Sequence, residues 1–333
     1  MNDTVSCDNA TTVEEGKTVV GSVVLFVAGV VGNVIALGIL YKHKRQSKRT
    51  SVFYVLVTGL VGTDLSGKCL ISPVVFASYA RNLTLKALSQ DHDLCAYSSI
   101  SMSFFGLCST ALLLTMALEC WLSISHPFFY QEHITKRRVV MVFPVVYASC
   151  LLFSLLPVLV MGSYKQYCPG TWCFIHMTPE KESARFYSVL YATLLGVLIV
   201  AVLVCNLSVG VNLAKMFRRQ RRRSTTTLSF GAGHKHLAHS EELDHLVLLV
   251  LMTVLFVVCS APLTVRAYIG AFAPDNKDSE DLVALRLASV NSIVNPWVFI
   301  IFRTSVVRKL VSVCCNYFSN ANTDSVPELK SNI

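Results

Sequence analysis

Long apolar runs alternate with short polar gaps along most of the chain. A helix needs about 20 apolar residues to cross the hydrocarbon core of a bilayer. Five runs of this length hold no charged residue, namely 19–40, 97–118, 139–164, 186–214 and 246–265. Two further runs are interrupted, because 52–80 contains Asp64 and Lys68 and 281–302 contains Arg286. The pattern predicts seven transmembrane helices, and the alternating ten-residue segments of a membrane barrel are absent.

The predicted fold is therefore all-α, a seven-helix transmembrane bundle followed by a short amphipathic eighth helix. We expect four parts, which are an extracellular tail (1–18), the seven-helix domain (19–303), a cytoplasmic amphipathic helix (304–318) and a cytoplasmic tail (319–333). A cleavable signal peptide is not expected, since the first apolar run is too long and follows an acidic tail.

Composition agrees with a membrane protein. Of the 333 residues, 53% are hydrophobic and 15% are charged, whereas soluble domains carry about 25% charged residues. The net charge of +9 lies mostly in the short gaps rather than on a soluble face. Nucleic acid is therefore not an expected partner, and the charge is better explained by membrane topology.

The gaps predict an orientation in the plasma membrane. Gaps 42–49 and 215–235 contain basic but no acidic residues, while 1–18 and 274–281 are mostly acidic. Because basic loops stay cytoplasmic, we expect a multi-pass protein with its N-terminus outside and its C-terminus inside.

Several residues are candidates for covalent modification. Asn2, Asn9 and Asn82 each begin an Asn-x-Thr acceptor in a predicted extracellular segment, so we expect N-glycosylation there. Cys314 and Cys315 follow the last helix on the cytoplasmic side and are palmitoylation candidates. An unmodified, reduced pair is the alternative for these two cysteines.

Four of the 12 cysteines lie in predicted extracellular segments, where the environment is oxidising; they are Cys7, Cys95, Cys168 and Cys173. Spacing alone does not fix how such cysteines pair.

Charged residues inside the spans are few and mark function by default. Asp64 and Lys68 are four residues apart, so they share one helix face. They form either an internal ion pair or a polar centre that binds an ion or changes partner on activation. Glu119 lies at the cytoplasmic end of the third span.

Two arginines lie toward the outer ends of the last spans. Arg266 is expected to extend its guanidinium to the membrane surface. Arg286 has no acidic residue in its own span beyond Asp281. An unpaired guanidinium that faces the bundle interior would suit an anionic ligand.

The sequence does not favour an enzyme. It has neither a His-Glu-x-x-His metal motif nor a Gly-x-Ser-x-Gly elbow, and an intramembrane aspartyl protease would need a second Asp besides Asp64. Residues 287–302 contain no Lys for a retinal. We therefore expect a receptor without metal or cofactor. A membrane transporter of a lipid acid is the alternative from a different class, although no internal repeat is visible.

Scattered residues between positions 19 and 318 resemble the rhodopsin-like G protein-coupled receptors. The matching positions are Gly32-Asn33, Leu60 to Asp64, Cys95 and Cys173, Pro262 and Asn295-Pro296. Cys120, Ser260 and Phe299 depart from this pattern, because Arg, Trp and Tyr are usual there. The resemblance implies a role in G protein coupling and activation for Asp64, Glu119, Cys120, Trp121, Asn295 and Pro296.

A contiguous segment narrows the resemblance. Residues 167–175, Tyr-Cys-Pro-Gly-Thr-Trp-Cys-Phe-Ile, are similar to the second extracellular loop of the prostanoid receptors. Pro296 and Trp297 resemble that family's Asp-Pro-Trp, with Asn295 in place of the Asp. The resemblance implies a Cys95–Cys173 bridge that pins this loop over the bundle; Cys7 and Cys168 are the leftover pair, whose bridging stays open.

The resemblance also implies two partners, a prostaglandin ligand and the membrane lipid that surrounds the helices. Arg286 matches the arginine that binds the prostanoid carboxylate in that family, and the loop implies a lid, so we expect the ligand to arrive from the lipid layer. The ligand-binding candidates are Arg286, Lys68, Thr171, Trp172, Ser289 and Ser72.

Within the family, segments 67–69, 116–123, 126–130 and 242–245 are most similar to the D₂-type receptors. This implies activation of the stimulatory heterotrimeric G protein and of adenylate cyclase, which raises cyclic AMP. The E₂-type receptors that raise cyclic AMP are the alternative.

Overall fold

The computed structural model describes residues 7–16, 18–46, 51–89, 93–161, 164–179, 181–224, 232–273 and 278–303. Within these ranges, seven helices are long and apolar enough to cross a membrane, which confirms the predicted seven-helix fold. The amphipathic helix and tail predicted at 304–333 lie outside the described residues.

The helices are α1 (Val20–Gln46), α2 (Val52–Arg81), α3 (Leu85–Leu88), α4 (Asp93–Ser125), α5 (Pro127–His133), α6 (Lys136–Leu156), α7 (Glu182–Ser224), α8 (Ala232–Phe272) and α9 (Asp278–Arg303). The strands are β1 (Tyr164–Tyr167) and β2 (Trp172–Ile175), which form an antiparallel hairpin. The membrane-length helices are α1, α2, α4, α6, α7, α8 and α9. The two short helices and the hairpin lie in the gaps between them, and the apolar pattern did not predict them.

The membrane-length helices form a ring with α4 at its centre. Contacts lead from α1 to α2, from α2 to α4, and from α4 to both α6 and α7. They continue from α7 through α8 to α9, which returns to α1. On α7, one outward face is 50–67% exposed and consists of Val200, Val204, Leu207 and Val211. An apolar outer face at helical spacing is what a lipid environment requires.

A glycine lets α9 approach α1 closely. A Cβ atom at Gly32 would lie only 2.7 Å from Nε1 of Trp297. That indole donates a hydrogen bond to the carbonyl of Ala28 at 3.1 Å. Nearby, Asn33 Nδ2 donates to the carbonyl of Ser292 at 3.2 Å. A small residue and two cross-helix hydrogen bonds thus close the ring, as is common between membrane helices.

The fourth predicted run extended too far. Helix α6 ends at Leu156 and is followed by a π-helical turn, Pro157–Met161. Tyr164 then begins β1, where it pairs with Ile175. Apolar composition continues through this segment, but proline lacks the N–H that a regular α-helix needs, so the helix changes character there.

Candidate functional site

The β1–β2 hairpin and its turn, residues 164–175, form a lid over one end of the bundle. A disulfide joins Cys95 of α4 to Cys173 of β2, and a second joins Cys7 to Cys168. Both bridges considered from the sequence are therefore present. Gly170 in the turn has a φ of +95°, and a Cβ there would lie 2.5 Å from Thr84 Cγ2. Only glycine fits this conformation without strain, so the tip of the lid rests directly on the α2–α3 connection.

Gln166, a residue of the lid, forms hydrogen bonds with the N-terminal tail and with α3. Its side-chain Nε2 donates to the carbonyl of Cys7 at 2.7 Å and to that of Ala10 at 3.2 Å. Its Oε1 accepts from the backbone N–H of Lys86 at 3.0 Å. Its own backbone N–H donates to Asp8 Oδ1 at 2.9 Å. The N-terminal tail is thus an integral part of the lid.

Asp8 adds an ion pair to this network. Lys86 Nζ lies 2.6 Å from Asp8 Oδ1. Burial by itself raises the pKa of Asp8, but the hydrogen bonds from Lys86 and Gln166 outweigh it and hold the pKa below its ordinary value of 3.8. The carboxylate is therefore ionised at neutral pH. Sequence analysis missed Asp8, Lys86 and Gln166 as lid residues, because their contacts join segments that are distant along the chain.

Below the lid lies the outer cavity, which is bounded by α1, α2, α4, α9 and the lid turn. All six ligand-binding candidates line it, namely Lys68, Ser72, Thr171, Trp172, Arg286 and Ser289. Most of the remaining wall is apolar and includes Leu25, Phe26 and Leu285. The structure thus brings together residues that are up to 221 positions apart along the chain, as the Lys68–Ser289 hydrogen bond illustrates.

Two cations line the outer cavity, and no acidic residue does among the described part of its wall. Lys68 Nζ donates to the backbone carbonyl of Ser289 at 3.1 Å. The Arg286 side chain is exposed and lines the outer cavity. It lies where the outer cavity meets the surface beside α9, and no described residue forms a hydrogen bond or ion pair with its guanidinium. An apolar cavity with an unneutralised guanidinium can hold an amphipathic anion.

Trp172 makes two contacts within the lid. The indole Nε1 donates to the carbonyl of Cys168 at 3.2 Å. The ring also stacks on Tyr167, with ring centroids 5.4 Å apart. Thr171 beside it is only 3% exposed. These contacts place both residues on the roof of the outer cavity.

The inner cavity continues from the outer one toward the middle of the bundle. The two share Lys68, Ser72 and Ser289 among their wall residues. The inner cavity is lined by α2, α4, α7, α8 and α9, with Phe174 of the lid above it. The two cavities together give an elongated space under the lid.

A polar centre, defined here as Asp64, Ser109 and Asn295, lies at the far end of the inner cavity. Ser109 Oγ donates to Asp64 Oδ1 at 2.6 Å, and Asn295 Nδ2 reaches Asp64 Oδ2 at 3.4 Å. Asp64 and Lys68 do not form a salt bridge in the structure, so of the two alternatives from the sequence the arrangement is the polar centre. Each charge has found a different partner, because Lys68 extends along its helix toward α9 instead.

Arg266 is buried rather than extended to the surface. Its Nε lies 2.7 Å from Asp281 Oδ1, and its Nη1 lies 2.9 Å from Glu280 Oε2. The side chain of Arg266 is 8% exposed, and that of Asp281 is 3% exposed. The acidic gap before the seventh span was the available signal. A cation near such carboxylates gains more from pairing than from reaching water.

The candidates for coupling and activation near the C-terminal end of α4 occupy a separate region. Glu119 accepts a hydrogen bond from the Tyr130 hydroxyl of α5 at 2.5 Å. Trp121 Nε1 donates to Ser208 Oγ of α7 at 3.0 Å. Cys120 between them is a free cysteine, and Pro296 lies inside α9. These contacts connect α4 with the neighbouring elements without an arginine at position 120.

Two of the three glycosylation candidates lie in described segments on the lid side. Asn9 and Asn82 are both exposed. Asn2, Cys314 and Cys315 lie outside the described residues.

Comparison with known proteins agrees with this architecture. The model of the family "7 transmembrane receptor (rhodopsin family)" matches residues 32–299. The prostaglandin D2 receptor of Mus musculus is 52% identical over 330 residues, which cover 93% of this chain and 92% of that protein. The prostaglandin E2 receptor EP2 subtype of Homo sapiens is 46% identical over 342 residues, covering 97% and 94%. Squid rhodopsin superimposes with a TM-score of 0.72 at 15% identity, covering 92% of this chain and 85% of that structure, which is a likeness of fold.

Proposed function

Because this chain belongs to the prostanoid receptors of the rhodopsin family of seven-transmembrane receptors, we propose that it binds prostaglandin D₂ in the outer cavity and activates the stimulatory G protein, which raises cyclic AMP. One observation carries the binding part of this proposal. Arg286 lines a largely apolar cavity in which no described acidic residue neutralises it. A prostaglandin is a long apolar acid, so its carboxylate pairs with Arg286 and its chain lies against the apolar wall.

Lys68 has a supporting role. Its ammonium is held by the carbonyl of Ser289, on the same wall as Arg286. It adds positive potential to the cavity, while Arg286 offers the two parallel N–H groups that grip a carboxylate. Thr171 and Trp172 cover the ligand from above.

The lid closes the route from water, so the ligand reaches the cavity from the lipid layer. Arg286 is both exposed and part of the cavity wall, which supports an opening beside α9. The N-terminus lies outside the cell in this proposal. The two disulfides on the lid side support that orientation, since such bonds persist in oxidising compartments.

Prostaglandin E₂ is the second candidate ligand. The human E2 receptor of the EP2 subtype is 46% identical over nearly the full length, compared with 52% for the mouse D2 receptor. The difference in identity favours D₂.

Competition binding on membranes tests the ligand and its anchor together. Prostaglandins D₂ and E₂ and the methyl ester of D₂ compete for a labelled ligand on wild type, Arg286→Ala and Arg286→Lys. In the proposed complex the ligand covers the exposed guanidinium, and losing one partner of a charge pair that binding buries costs about 2–5 kcal/mol, or roughly 30-fold to several thousand-fold in affinity. Arg286→Ala should therefore nearly abolish binding of the acid, and Arg286→Lys should weaken it less. Arg185→Ala, an exposed arginine on α7 that lines neither cavity, is the matched control.

The methyl ester shows whether Arg286 binds the ligand carboxylate or only stabilises the packing of the helices. It should bind wild type poorly and lose little further in Arg286→Ala. If Arg286 only braces helices, Arg286→Ala lowers the amount of receptor at the surface while the preference for acid over ester persists.

In intact cells, prostaglandin D₂ should raise cyclic AMP; calcium release or a fall in cyclic AMP, without any rise, would refute the proposed coupling.

A further inference from the structure

Two free cysteines of neighbouring helices are in contact. Cys108 of α4 is fully buried and Cys150 of α6 is 8% exposed, and neither takes part in a disulfide. Their side chains are hydrogen-bonded to each other. Both belong to the main apolar core, where α4 packs on α6. Two thiols that already touch can be joined covalently with only a small movement of their helices.

The pair lies deep in the membrane. At about 1.5 Å per residue, Cys108 is roughly 22 Å from the start of α4 and Cys150 is roughly 21 Å from the start of α6. Charged oxidants and reductants of the aqueous phase do not enter the hydrocarbon region, because charges are costly there. A reagent that reaches these thiols must therefore be soluble in lipid. Ser149, the neighbour of Cys150, is exposed, so such a reagent can approach from the side of α6.

Cys150 differs from an ordinary buried cysteine. A thiol in wholly apolar surroundings is unreactive, because the thiolate is the nucleophile. Cys150 has two hydrogen-bond donors beside its sulfur, the thiol of Cys108 and the hydroxyl of Ser149. Donors in these positions stabilise a thiolate. Cys259 of α8 is buried to a similar degree, at 6% exposed, but no described side chain is hydrogen-bonded to its sulfur.

We propose that Cys108 and Cys150 are an oxidisable pair, which organic hydroperoxides of the lipid phase convert into a disulfide between α4 and α6. The Cys150 thiolate attacks the terminal oxygen of the hydroperoxide and the O–O bond breaks. The alkoxide that leaves takes the proton lost by Cys150 and becomes an alcohol. The Cys108 sulfur then attacks the sulfenic acid at Cys150, and the displaced hydroxide takes the Cys108 proton to form water. The two thiols lose two electrons, which the hydroperoxide gains.

The new bond acts on the inner cavity. Cys108 directly precedes Ser109, and Cys150 lies near Tyr191; Ser109 and Tyr191 both line that cavity. A disulfide is about 2.0 Å long, which is shorter than a hydrogen bond between two sulfurs, so α4 and α6 must shift toward each other. The shift changes the cavity wall, and we expect the affinity for the ligand to fall. This effect on binding rests on the proposed function.

The test exposes membranes that carry the full-length receptor to linoleic acid hydroperoxide, with linoleic acid as the matched control lipid. Peptide mapping by mass spectrometry without reduction should find Cys108 joined to Cys150 after the hydroperoxide and not after the control lipid. The affinity for prostaglandin D₂ should fall with the fraction joined, by roughly 5- to 150-fold at completion, the usual range for coupling between separate sites. Cys108→Ala and Cys150→Ala should each prevent both changes.

Cys259→Ala is the matched control variant, because it removes an equally buried thiol that has no such contact. It should behave as wild type in the peptide map and in the binding measurement. The comparison of the two lipids on wild type needs no variant, so it remains decisive even if a substitution at the fully buried Cys108 prevents folding.

The outcomes separate this proposal from the proposed function. Peptide mapping needs no ligand, so it tests the oxidisable pair even if prostaglandin D₂ does not bind. If the two cysteines stay reduced, or are joined equally in the control lipid, the oxidisable pair is wrong. If they are joined while the affinity is unchanged, or if the affinity falls equally in Cys150→Ala, the effect on binding is wrong.

Discussion

In the lid, the side-chain amide of Gln166 forms hydrogen bonds with three neighbours at 2.7–3.2 Å. In the polar centre, by contrast, Asn295 forms a single long hydrogen bond of 3.4 Å with Asp64. The Oδ1 atom of Asn295 accepts no hydrogen bond from the described residues. Two disulfides reinforce the lid, whereas the centre is held by side-chain contacts alone. Fully satisfied polar groups specify one arrangement, and incompletely satisfied ones leave alternatives close in free energy. We therefore infer that the lid fixes the shape of the site, and we predict that the centre exchanges partners when a ligand shifts the conformational equilibrium.

The largest expected effect comes from breaking the ion pair between Arg266 of α8 and Asp281 of α9. Arg266→Gln leaves the buried carboxylate of Asp281 without its guanidinium, and breaking such a pair costs about 3–5 kcal/mol. We expect most receptor to be lost from the surface, as measured by antibody labelling of intact cells. The double variant Arg266→Gln, Asp281→Asn should recover part of the loss, and Arg185→Gln on the surface should have no effect. Equal losses in single and double variants would contradict a paired role.

Opening the lid bond is expected to have the next largest effect. Cys173→Ser removes a bridge that closes a loop of 78 residues, and a disulfide typically contributes about 2–4 kcal/mol. Ligand binding by receptor at the surface should be abolished, since the lid also forms the roof of the site. Cys69→Ser, which changes an exposed free cysteine, should bind normally. Full affinity in surface-expressed Cys173→Ser would mean that the lid does not shape the site.

A double-mutant cycle examines the polar centre. Asp64 and Lys68 have separate partners, so we now expect Asp64→Asn and Lys68→Leu to combine with a coupling below about 1 kcal/mol, whereas residues in direct contact show up to about 3. Asp64→Asn should reduce the cyclic AMP response with little change in affinity, and Lys68→Leu should reduce affinity with normal expression. Strong coupling in either readout would restore the ion pair that the sequence suggested.

The smallest effect is expected at Asp8, where the ion pair with Lys86 is partly exposed. The side chains are 31% and 21% exposed, so Asp8→Asn should cost at most about 1 kcal/mol at pH 7. Because the folded state lowers the pKa of Asp8, this stabilisation is present above the ordinary value of 3.8 and is lost as the pH falls through the lower folded value. Thermal unfolding of purified receptor should show the difference from Asp8→Asn at pH 7 and its disappearance below pH 3.8. A difference that persists at low pH would exclude this carboxylate as its source.

The sequence predicts the bundle far better than the lid. Membrane helices depend on local apolar length, which can be read from one segment at a time. The lid depends on hydrogen bonds such as the one that the Gln166 N–H donates to Asp8. This bond spans 158 positions, so it leaves no local pattern in the sequence. The run at 139–164 shows a related limit, because its apolar composition continues past Leu156 although the regular α-helix ends there.

The six ligand candidates were found through resemblance and do meet at one cavity, but their orientations were not predictable. Arg286 lines the cavity and is exposed at the same time, which the sequence did not predict. Arg266 was expected to reach the surface and is buried against Asp281. For Arg266 the outcome depends on the carboxylates that α9 presents, and a single sequence does not give the distance between the guanidinium and those carboxylates.

The bridge from Cys7 to Cys168 also constrains the order of events during synthesis. The two cysteines are 161 residues apart, so at about 5–20 residues per second the ribosome needs roughly 8–30 seconds between them. Cys95 emerges from the ribosome during that interval, so it is available to the Cys7 thiol before Cys168 is. If Asn82 is glycosylated, its sugar must be attached before the tail and lid assemble, because Thr84 of its acceptor is fully buried afterwards. A nascent chain halted before residue 168 should therefore carry the Asn82 sugar and a reduced or mispaired Cys7.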